Sequence, residues 1–73
     1  MTDAQLLEKL KIYCEYELQM AINYRPSANL AFTRAYGAMM YTSNYLCKNW
    51  TDVAVWWEND MWNRFMKVLK GEM

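Results

Sequence analysis

Histidine is absent from this chain, and the 73 residues include only two cysteines, two glycines and one proline. Without histidine, the chain has neither the Cys/His ligand set of a zinc site nor the Glu-x-x-His pairs of a di-iron helical bundle. A catalytic group would have to be a Glu, Tyr, Lys or Cys side chain, and no segment places a nucleophile beside a base. We therefore predict a protein that is not an enzyme, with no metal and no cofactor.

The chain also lacks any excess of charge, because eight Lys and Arg residues balance eight Asp and Glu residues. Nucleic-acid binders neutralise phosphates with a positive excess, so we expect no nucleic-acid partner. The first ten residues do not resemble a secretory signal, and no apolar run reaches the roughly 20 residues of a membrane span. We expect a cytoplasmic protein, in which Cys14 and Cys47 are reduced and buried thiols.

Few glycines and prolines, and no segment that alternates apolar and polar residues, predict an all-α chain. Thr2 and Gln5 form a capping-box pattern at the start, Pro26 interrupts the helical pattern, and Gly71 ends it. The predicted helices span about residues 2–24, 26–47 and 51–70. Short links between them favour a single-domain, up-down-up three-helix bundle. A domain this small is near the lower limit for folding alone, so we expect self-association.

The second predicted helix contains one charged residue, Arg34. A helix without a charged face is covered on most sides. One face is rich in small residues and suits packing inside the bundle: Ala28, Ala31, Phe32, Ala35, Ala38, Met39, Thr42 and Leu46. The other face has no third helix of the same chain to cover it, and we predict that it binds a second copy or another protein. That predicted interface consists of Leu30, Tyr36, Gly37, Met40, Tyr41 and Asn44.

The third predicted helix contains the segment AVWWENDMWNRF, in which three of twelve residues are tryptophan. At 100° per residue, one arc forms the predicted core face: Ala54, Trp57, Met61, Trp62, Phe65, Met66, Val68 and Leu69. Trp56 lies about 100° from Trp57 on the polar face, where we predict that it extends the partner surface. Arg64, Lys67 and Lys70 form a short basic line there. The alternative function is a nucleic-acid or small aromatic ligand binder that uses Trp56 and this basic line.

Three polar residues are predicted to be structural groups inside the bundle. Glu17 falls on the apolar arc of the first helix, and an antiparallel hairpin that turns near residue 25 sets it level with Arg34. A buried carboxylate needs such a partner. Glu58 falls on the apolar arc of the third helix, level with Tyr41, whose hydroxyl is the expected donor.

A short helical chain rich in methionine and tryptophan, without motifs, has the general look of small proteins encoded by phages and mobile elements. Many such proteins bind and modulate a host protein. By this analogy of type, we predict a protein-binding module that modulates or inhibits a host protein.

Overall fold

The computed structural model describes residues 2–46 and 50–72, and the regular structure in those residues is entirely helical. The α-helical segments are α1 (Asp3–Asn23), α2 (Ala28–Tyr41), α3 (Trp50–Trp56) and α4 (Trp62–Leu69). A π-helical segment, Thr42–Leu46, continues α2, and a second, Trp57–Met61, joins α3 to α4 into one third helix. The predicted all-α fold with three helices is confirmed for these residues, whereas the prediction for Cys47 lies outside them.

The third helix runs parallel to α1 and antiparallel to α2. Asp52 and Val53 lie beside the first two turns of α1, where they line one shallow pocket. Further along, Arg64 forms an ion pair with Glu15, and Val68 accepts a hydrogen bond from Arg25. In these contacts, later residues of the third helix meet later residues of the segment from α1 to the turn, so the third helix runs in the same direction as α1. The topology is therefore up-down-up.

The two ends of α1 follow local rules. The Gln5 side chain accepts a hydrogen bond from the Thr2 amide at 2.9 Å, and the Thr2 hydroxyl accepts one from the Gln5 amide at 3.2 Å. This is the predicted capping box. After α1, Pro26 lies in a 3₁₀ turn, Arg25–Ser27, so α2 begins at Ala28, two residues later than predicted.

The π segment in the third helix keeps the core residues aligned. In a regular α-helix, each step of four residues advances about 40° beyond a full turn. Core residues Val53, Trp57, Met61 and Phe65 follow each other at that spacing, so a regular helix would rotate them progressively out of the core. Hydrogen bonds of the i→i+5 type, such as that from the Trp62 amide to the Trp57 carbonyl, wind more residues into a turn and remove the drift.

The third helix ends at the predicted glycine. Gly71 has φ +78°, a left-handed conformation that favours glycine. The Glu72 amide donates to the Lys67 carbonyl at 2.8 Å and the Gly71 amide to the Val68 carbonyl at 3.1 Å. This is a Schellman motif, which satisfies the last carbonyls of the helix.

The core lies between the three helices, with the small-residue face of α2 at its centre, as predicted. Its buried apolar residues are Leu10, Cys14, Leu18, Ala21, Ala28, Ala31, Ala35, Met39, Val53, Trp57, Met61, Phe65 and Val68. Two predictions for the third helix are wrong. Val53 is buried although Ala54 was predicted in its place, and Trp62, predicted as core, is 42% exposed. Both errors come from extrapolating 100° per residue through a π segment.

Candidate functional site

An ion pair joins α1 to α2 at the level that the antiparallel register predicted. Arg34 donates from Nε to Oε2 of Glu17 and from Nη2 to Oε1 at 3.2 Å, a bidentate arrangement. The hydroxyl of Tyr13 donates to Oε2 at 3.3 Å. Burial, followed by the charge of Glu17, raises the pKa of Tyr13. The Glu17 side chain is 3% exposed, as predicted, but that of Arg34 is 42% exposed, so its predicted burial is wrong.

Exposed apolar side chains surround this ion pair. Along α1 they occur at Tyr13 and Met20, with Tyr24 directly after its end, and along α2 at Leu30 and Tyr41, with the exposed Gly37 between them. With Arg34 included, the row on α2 has the spacing 4, 3, 4, and with Glu17 included, Tyr13 and Met20 on α1 have the spacing 4, 3; both spacings keep residues on one side of a helix. We call this surface the hairpin face. Its members are Tyr13, Tyr16, Met20, Tyr24, Leu30, Gly37 and Tyr41, around Arg34.

The hairpin face points away from the third helix. Glu15 and Phe32 contact the third helix, through Arg64 and through the rings of Trp62 and Phe65. Glu15 is two residues from Tyr13, and Phe32 is two residues from Leu30. Two residues rotate a helix by about 200°, so the face and the third helix lie on opposite sides of the hairpin.

From Ile12 to Leu46 the chain has four charged residues, and each of them is engaged within the fold. Glu17 pairs with Arg34, Glu15 pairs with Arg64, and Arg25 donates to the Val68 carbonyl at 3.1 Å. The hydrogen bonds from Arg64 lower the pKa of Glu15. Between Ile12 and Leu46 the hairpin therefore presents mainly aromatic and aliphatic surface, and among the described residues only Arg25, at the turn, lacks a carboxylate partner.

The predicted interface of the second helix is divided between two surfaces. Leu30, Gly37 and Tyr41 are exposed on the hairpin face. Tyr36 and Met40 lie on the other flank of α2, next to the third helix. Phe32, one turn before Tyr36, contacts both Tyr36 and Phe65 of the third helix. Asn44 is exposed and lies beside Met40. The contribution of α1 to the hairpin face was missed, because Tyr13, Met20 and Tyr24 fall on the edge of its apolar arc.

Tyr36 and Met40 border an open groove between α2 and the third helix. We call it the aromatic groove. It is lined by Tyr36, Met39, Met40, Trp57, Glu58 and Trp62, and its larger part has a volume of about 510 Å³. The ring of Phe32 supports it, with centroids 6.1 Å from Tyr36, 6.1 Å from Trp57 and 5.7 Å from Trp62. The outer rings remain accessible, since Tyr36 is 43% and Trp62 42% exposed.

Glu58 is exposed on the edge of this groove, so the prediction of a buried carboxylate bonded to Tyr41 is wrong. The ring of Tyr41 instead packs against Tyr45, at a centroid distance of 5.3 Å. Glu58 is the second residue of the π segment, which changes its position relative to a regular helix. In the described part of the chain, no cation forms an ion pair with its carboxylate.

The predicted surface around Trp56 is largely used within the chain. Trp56 is half-buried against the core, with its ring centroid 6.0 Å from that of Trp57. Arg64 forms a bidentate pair with Glu15, Nη1 to Oε1 being 2.7 Å, and lies 3.6 Å from the carboxylate of Asp60. Of the predicted basic line, Lys67 and Lys70 are exposed. Among Trp56, Trp57 and Trp62, whose side chains the structure describes, the exposed one is thus Trp62, not Trp56.

Cys14 is fully buried, and its thiol lies 3.8 Å from the carbonyl oxygen of Ala35. Burial raises its pKa to about 12. A thiol protonated at neutral pH is a poor nucleophile, so Cys14 belongs to the core. Within residues 2–46 and 50–72, no three side chains are grouped as a metal site, and no helix combines the length and apolarity that crossing a bilayer requires.

Comparison of the chain with protein-family profiles, with curated proteins and with solved structures gave no significant match. Over residues 2–46 and 50–72, the fold is that of a small all-α protein with three helices. Its two candidate sites are the hairpin face and the aromatic groove, on opposite flanks of α2.

Proposed function

We propose that this protein is a non-catalytic protein-interaction module that self-associates through the hairpin face. The observation that carries the proposal is the scarcity of charge between Ile12 and Leu46, where Glu15, Glu17 and Arg34 form ion pairs within the fold and Arg25 lies apart, at the turn. Protein interfaces are depleted in charged residues at their centre and enriched in tyrosine and methionine, and the hairpin face has this composition. All six tyrosines of the chain are at least 40% exposed, a distribution that a core-packing role does not explain.

The area is sufficient for a stable contact between two copies. The six large apolar side chains of the hairpin face are 40–60% exposed. A buried aromatic side chain covers about 150–250 Å², so each half-exposed member contributes roughly 100 Å². Two copies together would bury about 1,200 Å², which reaches the lower end of the range for specific interfaces, about 1,200–2,000 Å².

A second copy also suits the shape and polarity of the face. The 4, 3, 4 spacing on α2 and the 4, 3 spacing on α1 are those of side chains that interlock with a facing helix pair. The ion pair at the centre is already neutralised, so an identical surface can approach it without repulsion. A Cβ added at Gly37 would meet no atom within 4 Å, which leaves room for a facing backbone.

Sedimentation equilibrium of wild type and two lysine variants tests this proposal. Leu30 is 56% and Val55 52% exposed, but Val55 is on α3, outside the hairpin face. We expect a dimer for wild type and for Val55→Lys, and a folded monomer for Leu30→Lys. A monomeric wild type at high micromolar concentration would refute self-association, as would equal dimerisation of the two variants.

Gly37→Ala gives a second test, because it should change monomer stability and dimerisation in opposite directions. Alanine is about 1 kcal/mol more favourable than glycine inside a helix, so the separated monomer should become more stable. If a facing backbone approaches Gly37, the same methyl group should weaken dimerisation. Greater monomer stability together with unchanged dimerisation would rule out close approach at this position.

Modulation of a different protein would use the same surface. The partner would displace the second copy, because both need the hairpin face, in which the charge of Arg34 is neutralised by Glu17. Capture of such a partner should be lost with Leu30→Lys and retained with Val55→Lys; the reverse pattern would assign partner binding to another surface.

A further inference from the structure

From the aromatic groove, we infer that this protein has a second binding site, which takes a small organic ammonium cation. The site combines the exposed rings of Tyr36 and Trp62, the buried ring of Trp57 and the carboxylate of Glu58. It lies on the opposite flank of α2 from the hairpin face. The inference therefore does not depend on self-association.

The aromatic part of the site provides a surface that attracts cations. Ring faces carry the negative part of the aromatic quadrupole, and tryptophan and tyrosine are among the strongest cation-binding side chains. Tyr36 and Trp57 meet at 67° with centroids 5.9 Å apart, so the two rings form adjoining walls rather than a flat stack. Phe32 holds the third ring, that of Trp62, at 67° to its own plane.

The charge of the site selects a cation over a neutral apolar ligand. Glu58 is the one formally charged residue among those that line the larger part of the groove. Its carboxylate is not neutralised by any cation in the described residues. A ligand with an ammonium group and apolar substituents would satisfy the carboxylate and the rings together.

The size of the groove favours a small ligand. A volume of about 510 Å³ falls within the roughly 300–1,000 Å³ of small-molecule sites. The adjoining smaller part, of about 270 Å³, adds Ser43 and Asn44, whose side chains can bind a polar tail. Choline, with its trimethylammonium head and short hydroxyl tail, has this chemistry and is a suitable probe.

The π segment explains why the carboxylate and the rings meet here. Trp57 begins this segment and Trp62 follows it, so all i→i+5 winding of the third helix lies between the two rings. The side-chain amide of Asn63 donates to the carbonyls of Glu58 and Asn59, both at 3.3 Å. This contact supports the backbone that carries Glu58.

Choline titration, followed by tryptophan indole N–H shifts in two-dimensional NMR, tests the site. We expect saturable shifts of one or two indoles in wild type, with a Kd of about 1 mM or lower. The neutral isostere 3,3-dimethyl-1-butanol should bind at least tenfold more weakly. Equal binding of the alcohol would show a merely apolar groove and would overturn the inference.

Two matched variants test whether the Glu58 carboxylate contributes to choline binding. Glu58→Gln and Asp60→Asn remove the same charge from neighbouring exposed positions of the π segment, but only Glu58 lines the groove. We expect Glu58→Gln to weaken choline binding about tenfold and Asp60→Asn to leave it within twofold. Equal affinities for the two variants, or no saturable binding by wild type, would refute the site. Leu30→Lys should bind choline normally, so failure of self-association and failure of this site are separable.

Discussion

Arg25 and Val68 connect the turn between α1 and α2 to the end of the third helix. The guanidinium donates from Nη1 to the Val68 carbonyl oxygen at 3.1 Å, across 43 positions of sequence. That carbonyl also accepts the Gly71 amide of the Schellman motif. A cation at a helix C-terminus opposes the negative end of the helix dipole, so this contact stabilises both the turn and the helix end.

Arg25→Met should therefore destabilise the fold by about 1 kcal/mol. Arg25→Lys should cost less, because an ammonium group keeps a positive charge near the helix end. Urea unfolding followed by circular dichroism measures both. A Met variant with the wild-type midpoint would show that the hydrogen bond does not contribute to stability.

Arg34→Met should destabilise the fold by about 1–3 kcal/mol, because the buried Glu17 carboxylate then loses both guanidinium hydrogen bonds. The double variant Glu17→Leu with Arg34→Met should recover most of that loss, since a buried ion pair can be replaced by apolar groups at little cost. The thermal unfolding of both variants and of Glu17→Leu alone completes the cycle. Additive losses in the double variant would mean that the two side chains are not energetically coupled.

Deleting Asn59 should be tolerated. The core spacing 4, 4, 4, 3 from Val53 to Val68 would become 4, 3, 4, 3, which a regular α-helix satisfies without a π segment. Deleting Tyr16, which is also exposed and lies on the regular helix α1, should unfold the protein, because the deletion rotates Glu17, Leu18 and Ala21 by about 100° out of the core. The far-ultraviolet circular dichroism and the unfolding midpoint distinguish the two. If both deletions are equally harmful, the π segment does not hold an extra residue.

The sequence predicted those parts of the fold that follow from local rules and from regular helices. The capping box at Thr2, the glycine end of the third helix and the small-residue face of α2 were each found. The pairing of Glu17 with Arg34 was also predictable, because both residues lie on regular α-helices. In an antiparallel hairpin of two such helices, the residues that face each other can be found by counting equally far in both directions from the turn.

The sequence predictions failed where the helix is not regular. Beyond Trp57, the direction in which each side chain points depends on whether the backbone hydrogen bonds are of the i→i+4 or the i→i+5 type. The predicted positions of Glu58 and Trp62 were therefore wrong. The spacing of the core residues is the signal that reveals the extra residue, but Val53 had not been recognised as one of them. The exposure of Tyr13 and Met20 was missed because two neighbouring helices cannot cover the full apolar arc of α1.

Alkaline pH should destabilise the protein through Cys14. Its pKa is raised by burial to about 12, so the folded state keeps the thiol proton after an unfolded thiol, with a pKa near 8.5, has lost it. The contribution is fully present below the unfolded pKa. Stability then falls with rising pH, by about 1.4 kcal/mol per pH unit for this proton, until the folded thiol ionises near pH 12.

Urea unfolding at several pH values between 8 and 11 tests this, in a Cys47→Ala background with and without Cys14→Ala. The Cys14-containing protein should lose stability more steeply as the pH rises, and its thiol should react with a thiol reagent only on unfolding. Parallel pH profiles for the two proteins would contradict the burial of a protonated thiol.

The opposite placement of the two surfaces on α2 has a consequence for assembly. If copies join through the hairpin face, each third helix points outward, and the particle carries two identical aromatic grooves on its far sides. Such a particle is bivalent, and a molecule with two suitably spaced ammonium groups, or a surface that displays many, would be held by avidity rather than by single contacts.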